Sequence, residues 1–329
     1  MMRETSSAQY EATLAAAVPP LEQVRPNVWA LPLAIPSELL PYILSYFVID
    51  DSGFVHVIDA GWDSDENWQS VLAALKTMGA SAERVASVTL THMHRDHVGM
   101  THRYQQATPA RVQLSRVEDE AIRAMLLAEQ GPAVSVDALA EAWGIPPSRQ
   151  AELDVTFNPE GDQVAIEADV LVDEGDDLGV PGTGIQVIST PGHTFGSISL
   201  AAPGEQLLFT GDHVLPAIFG GLGLGGPTAS NPVSDYVRSL EKLAPYDSFE
   251  VLPGHGYRFT GLAARRAESA EHHLKRSREA AAVLAANPAA STWEVASQLK
   301  WSAGWENLHG AYVRSALAQT AWHMERAGS

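Results

Sequence analysis

The chain has 329 residues, with 40 Asp plus Glu, 21 Lys plus Arg, 12 His and no Cys. Its formal charge of −19 argues against a nucleic-acid binder, which needs a basic face for phosphates. The missing Cys excludes disulfides, thiolate metal sites and a cysteine nucleophile. Residues 1–22 read as a peripheral segment, a helix ending at Pro19-Pro20, too polar for a secretory leader. No apolar run approaches the roughly 18 residues of a membrane span. The expectation is a cytoplasmic protein with no membrane partner. VWALPL, YILSYFVID and FVHVIDA read as strands, the last two joined by a hairpin at DDSG. The Pro-bounded loop AIPSELLPY carries Leu39, Leu40 and Tyr42, all read as exposed.

A helix is predicted over 65–78, with Trp68, Val71, Leu72 and Leu75 at helical spacing. Asp63 or Ser64 caps it and Gly79 stops it. RVASVTLT is a buried strand that runs into THMHRDHVG, and ARVQLS is the next strand. Residues 116–165 carry two helical patterns and are too long for a connection, so they read as a helical insertion. Strands resume at ADVLV, GIQVIST, GSISLAA and EQLLFTGD. The Gly-rich stretch 219–226, a helix from Pro232 to Leu243 and the strand FEVLPG follow. Residues 262–329 are helical by pattern and read as a small, four-helix-like α-domain, with His272 and His273 on a solvated face.

The strongest chemical signal is His92-Met93-His94-Arg95-Asp96-His97, three imidazoles and a carboxylate within six residues at a strand end. A tight loop there can point alternate side chains into one cavity, and imidazole with carboxylate suits divalent metals. Three further strand ends supply His193 in TPGHT, Asp212 in TGDH and His255 in PGHG. Each lies beside a Gly, which lets backbone approach closely. His213 reads as a packed neutral histidine, His56 as structural or surface, and Arg95 as a salt-bridge partner.

With Asp59 in VIDAG, these landmarks stand in the order of the metallo-β-lactamase superfamily, which residues 23–261 resemble. The resemblance implies an α/β (α+β) class fold, an αββα sandwich of two mixed sheets with helices outside and an active site along one edge. It implies that His92, His94 and His193 hold one metal, that Asp96, His97 and His255 hold a second, and that Asp212 bridges them. Asp59 matches the acid that stands behind the ligand loop. The end of the chain, 262–329, is similar to the winged-helix-like tail of glyoxalase II-like hydrolases. Two divalent ions are expected, zinc first, with Mn2+ or Fe2+ suiting the same donors.

The implied chemistry is a metal-bridging hydroxide, oriented by the catalytic Asp96, attacking an ester, thioester or lactone carbonyl. Thioesterase, lactonase and esterase activities all fit a small-molecule substrate. Leu39, Leu40, Tyr42, Phe219 and Leu222 read as contacts to its apolar acyl or ring portion, with the insertion as a third cleft wall. No Lys or Arg cluster is identifiable for the carboxylates of a glutathione thioester. A phosphodiesterase or nuclease is the second reading, weakened by the acidic charge. A non-catalytic metal-binding or regulatory module is the third, disfavoured by the intact ligand set. The N-terminal segment and the tail are candidate lid or homodimer elements.

Overall fold

The computed structural model describes residues 1–37, 40–129, 136–154, 166–225, 230–301 and 304–328. Its first half runs β1 (Arg3–Glu4), α1 (Ser7–Ala15), β2 (Glu22–Arg25), β3 (Val28–Ala34), β4 (Tyr42–Ile49), β5 (Val55–Ile58), α2 (Asp65–Thr77), β6 (Val85–Thr89), α3 (Arg95–Val98), α4 (Thr101–Ala107), β7 (Arg111–Ser115), α5 (Arg116–Glu129) and α6 (Val136–Trp143). The second half runs β8 (Val170–Val172), β9 (Gln186–Ser189), β10 (Ile198–Ala202), β11 (Leu207–Gly211), α7 (Pro232–Lys242), β12 (Glu250–Pro253), β13 (Phe259–Thr260), α8 (Leu262–Ala286), α9 (Thr292–Gln298) and α10 (Ala311–Gly328).

The strands form two sheets, ordered β2-β3-β4-β5-β6-β7-β8 and β1-β13-β12-β11-β10-β9. Both are mixed: β2 to β5 are antiparallel and β5 to β8 parallel. In the other sheet only β11 and β12 pair in parallel. The apolar run of β4 has no polar side because both faces are covered. Leu44, Tyr46 and Val48 meet Leu200, Phe209 and Leu252 of the second sheet. Ile43 and Phe47 alternate with them and face Val71, Ala74 and Leu75 of α2. On the far side, Leu208 and Val251 pack under Val233, Tyr236 and Leu240 of α7. The layers are therefore α, β, β, α, as the family resemblance implies.

Helix α2 begins where Ser64 accepts the Asn67 amide, and Asp65 and Glu66 offset the positive end of its dipole. The N-terminal segment differs from expectation. Helix α1 stops before the prolines, because Ala16 takes a left-handed conformation (φ 49°) and caps it. Ahead of it, β1 pairs with β13 at the edge of the second sheet, so the segment is strapped down.

The tail consists of α8, α9, α10 and a short 3-10 turn, rather than a four-helix set, among the described residues. His273 and His323 are buried in it, at 4% and 1% exposure, so the solvated reading of His273 is corrected. Ala140 and Ile145 of the insertion pack with Ala296, Val313 and Leu317 of the tail. Among the described residues, no helix is long and apolar enough to cross a membrane.

Candidate metal centre

The site forms where β5, β6, β9, β11 and β12 end. Asp59 leaves β5 with φ 62°, a strained conformation that a short Asx side chain tolerates best. Its carboxylate accepts the Thr91 amide at 2.8 Å, the Thr91 hydroxyl at 2.9 Å and His97 Nδ1 at 2.8 Å. Asp59 thus holds the 91–97 loop from behind. The second sheet is tied in where the Leu44 amide donates to Gly254 O at 2.7 Å. Gly254 is required there, since a Cβ would lie 2.5 Å from Asp212 Oδ1 and 2.8 Å from His97 Cε1.

The structure brings all seven sequence-identified donors together. His92, His94, His193 and Asp212 form one group, and Asp96, His97 and His255 a second, with ligand atoms in each group within 4.8 Å of one another. Asp212 faces both: its Oδ1 is 3.3 Å from His97 Nε2, and its Oδ2 is 3.4 Å from His255 Nε2 and 3.7 Å from His193 Nε2.

Hydrogen bonding fixes which nitrogen each neutral imidazole presents. His193 Nδ1 donates to Gly221 O at 2.6 Å, and His255 Nδ1 to Tyr42 O at 2.8 Å. His97 Nδ1 donates to Asp59. The Thr91 hydroxyl gives its proton to Asp59, so it accepts from His92 Nδ1 at 3.0 Å. His94 is reversed: its Nε2 donates to Leu224 O at 3.3 Å. Neutral rings so held aim five lone pairs inward, from Nε2 of four histidines and Nδ1 of His94.

His94 Nδ1 lies 3.0 Å from both His92 Nε2 and His193 Nε2. Such lone pairs repel unless a cation sits between them. His97 Nε2 and His255 Nε2 are buried and face carboxylates, at 3.3 Å from Asp212 Oδ1 and 3.1 Å from Asp96 Oδ2. Donors at about 2.0–2.2 Å around a tetrahedral ion stand roughly 3.3–3.6 Å apart, close to the separations observed. The residues fit divalent ions.

The titration of the metal-free groups follows the same division. Burial holds His92 well below its ordinary pKa, and holds His94 at about 4 and His193 lower than usual, so these three are neutral. Burial acts the same way on His255, but Asp212 and Asp96 outweigh it and raise His255 to about 10. Burial is likewise outweighed at His97 by Asp59, Asp96 and Asp212. The second group therefore holds protons that a cation must displace.

One buried acid escaped the sequence reading. Glu118, at the start of α5, is fully buried. Its Oε1 accepts the Met93 amide at 2.8 Å and the Thr194 hydroxyl at 2.7 Å, and its Oε2 accepts the Gly196 amide at 2.8 Å. It clamps the loop of His92 and His94 to the loop of His193. His213, by contrast, is packed and neutral as read, held at about 3 by burial. His56 is structural, between Ser87 and Asp50. Arg95 lies over the Trp62 ring at 4.6 Å.

The residues read as substrate contacts stand in different surroundings. Leu39 lies outside the described residues. Leu40 is half-buried and lines a pocket beside His255. Tyr42 is buried in β4, not exposed, and lines the same pocket as Leu40, with its hydroxyl donating to Gly256 O at 2.8 Å. Phe219 is occupied by His272, stacked at 4.0 Å, and by the Arg265 guanidinium at 4.4 Å. Leu222 is 1% exposed in the core under α7, because the Gly-rich turn drives it inward. Lys275, Arg276 and Lys300 line a surface pocket with His272 and Glu279, a cation cluster the sequence reading lacked.

Residues 41–255 match the family model described as the metallo-beta-lactamase superfamily. The beta-lactamase-like protein 2 homolog of Caenorhabditis elegans is 26% identical over 250 residues, covering 76% of this chain and 68% of that protein. A hydroxyacylglutathione hydrolase of Fuscovulum blasticum is 31% identical over 185 residues, covering 56% of this chain and 53% of that one. Among solved structures, a metallo-beta-lactamase family protein from Thermus thermophilus superposes with a TM-score of 0.71 at 24% identity, covering 92% of this chain and 94% of that one. A beta-lactamase domain protein from Burkholderia ambifaria gives 0.67 at 22% identity, covering 92% and 87%. These last two speak to the fold. The chain belongs to the metallo-beta-lactamase superfamily and is a metal-dependent hydrolase on that fold.

Proposed function

We propose that this protein hydrolyses the carbonyl of an ester, thioester or lactone, using two divalent ions. The observation that carries the reading is the convergence of five imidazoles and two carboxylates into two donor groups, with Asp212 facing both. His92, His94 and His193 would hold one ion, Asp96, His97 and His255 the other, with Asp212 between them. Zinc suits this donor set best, and manganese or iron suits it nearly as well. Bound ions would supply Lewis acidity at the carbonyl and an activated water at neutral pH.

The chain's own residues set the geometry. Asp59 and Thr91 lock the tautomers of His97 and His92, and Glu118 holds both ligand loops in register. The side chain of Asp96 is 20% exposed against 9% for Asp212. Asp96 is therefore the carboxylate that can accept a proton from an attacking water. The similarity to hydroxyacylglutathione hydrolases favours a thioester within this class.

Turnover of a panel of p-nitrophenyl esters, acyl thioesters, lactones and bis(p-nitrophenyl) phosphate tests the proposal. Metal-loaded protein should hydrolyse the carbonyl substrates and lose that activity in His94→Ala. Hydrolysis of the phosphodiester alone would overturn it.

A further inference from the structure

A largely apolar pocket abuts the metal centre, with His255 forming part of its lining. Thr13 and Ala16 of the N-terminal segment form one wall, Leu40 a second, and Leu215 and Ile218 a third. Its volume is about 80 Å³. Its lining holds no Lys, Arg, Asp or Glu. The polar atoms at its edge are committed to one another. The Thr13 hydroxyl lies 2.8 Å from Gln9 O and 2.9 Å from the Tyr42 hydroxyl, which donates to Gly256 O. His255 Nδ1 is bound to Tyr42 O.

Two of the three walls are pinned from behind. Arg265, 4% exposed, donates to Leu215 O at 2.7 Å and to Ile218 O at 2.6 Å. Helix α1 is held by Gln9, whose side-chain oxygen accepts the Arg258 amide at 3.0 Å, and by Tyr10, edge-on to Tyr257 at 5.1 Å. A pocket with fixed walls measures what enters it. Apart from His255 the lining is apolar or already hydrogen-bonded, so away from that edge it suits an apolar chain better than a charged one.

We propose that this pocket, walled by the N-terminal helix, binds a short apolar acyl group and sets acyl-chain specificity. The proposal rests on the acyl hydrolase reading above and names its substrate class. The larger, polar half of the substrate then projects away towards solvent. A cavity of 150 Å³ accommodates benzene, so one of about 80 Å³ holds about three carbon atoms beyond the carbonyl. Each methylene that fits should raise kcat/KM about fourfold, the equivalent of about 0.8 kcal/mol of apolar transfer. Longer chains should gain nothing or lose.

The test uses the metal-loaded full chain and p-nitrophenyl acetate, butanoate, hexanoate and decanoate, with a matched set of butanoate esters of lengthening alcohols. The expected profile rises to butanoate and falls by decanoate. Ile218→Ala and Leu40→Ala should each move the optimum towards hexanoate. Leu40 and Ile218 are both half-buried, so neither truncation removes a fully buried core side chain. A flat acyl profile, or one that neither variant moves, would overturn the pocket assignment. Variants that shift the alcohol series instead would place the leaving group there and overturn it equally. If no ester or thioester turns over, the hydrolase reading fails. The pocket is then judged by saturation-transfer NMR with methyl butanoate, whose chain must receive saturation in the wild type and lose it in a bulky Ile218→Trp variant.

Discussion

Replacing Glu118 by Gln tests how the ligand loops are held. The side chain is fully buried and accepts from Met93 N, Thr194 Oγ1 and Gly196 N. An amide keeps one acceptor oxygen and puts an NH2 where the other oxygen was. Either the Gly196 amide or the Met93 and Thr194 pair then faces a donor. One buried unsatisfied group costs about 1–3 kcal/mol. At about 2–4 °C per kcal/mol, the melting temperature should fall by roughly 2–12 °C. The larger effect falls on metal binding, because Met93 sits between His92 and His94 and Thr194 follows His193. Loss of an outer hydrogen-bond partner weakens metal affinity about 10–100-fold. Competition against a chelator of known affinity measures this, alongside calorimetric melting. An affinity within twofold of wild type would refute the clamp, even if the melting temperature fell.

Other outcomes follow from the same structure. Zinc titrations by calorimetry in buffers of different ionisation enthalpy should show proton release below pH 10, because metal-free His255 titrates at about 10. Apparent affinity should therefore rise with pH through neutrality, and a pH-independent affinity would contradict the charge balance of the second donor group. His323 is held at about 3 by burial, against about 6.5 when unfolded. Its contribution to stability is complete above pH 6.5 and is lost as pH falls towards 3. At pH 5 that loss is about 2 kcal/mol, so His323→Gln should make the stability profile of metal-free protein shallower by about that amount, while buried His213 and His273 keep the rest of the slope. Leu222→Ala should cost about 2–5 kcal/mol by denaturant unfolding while leaving KM unchanged. A raised KM with unchanged stability would restore Leu222 to the cleft.

The donor set was legible because each ligand stands just past an apolar strand, beside a residue pattern that leaves little other use for it. The sandwich was legible in β3, β4 and β5, whose apolar runs are covered on both faces. Local pattern could not tell a cleft wall from core, so Tyr42 read as exposed and the core residue Leu222 read as a substrate contact. β1 and β13 are two residues each and offer no alternation to detect. Helix α8 hid its buried face because that face is largely polar, built from Arg265, Ser269, His273 and Ser277. Glu118 stands in an EDE run whose local pattern carries no sign of burial. Its role depends on Thr194 and Gly196, which are distant in sequence.

The central claim is that two ions share this site through Asp212. Anomalous scattering from crystals of zinc-loaded protein measures that directly. Two peaks are predicted, one among His92, His94 and His193 and one among Asp96, His97 and His255, with Asp212 touching both. A single peak, or peaks away from these residues, would contradict the account.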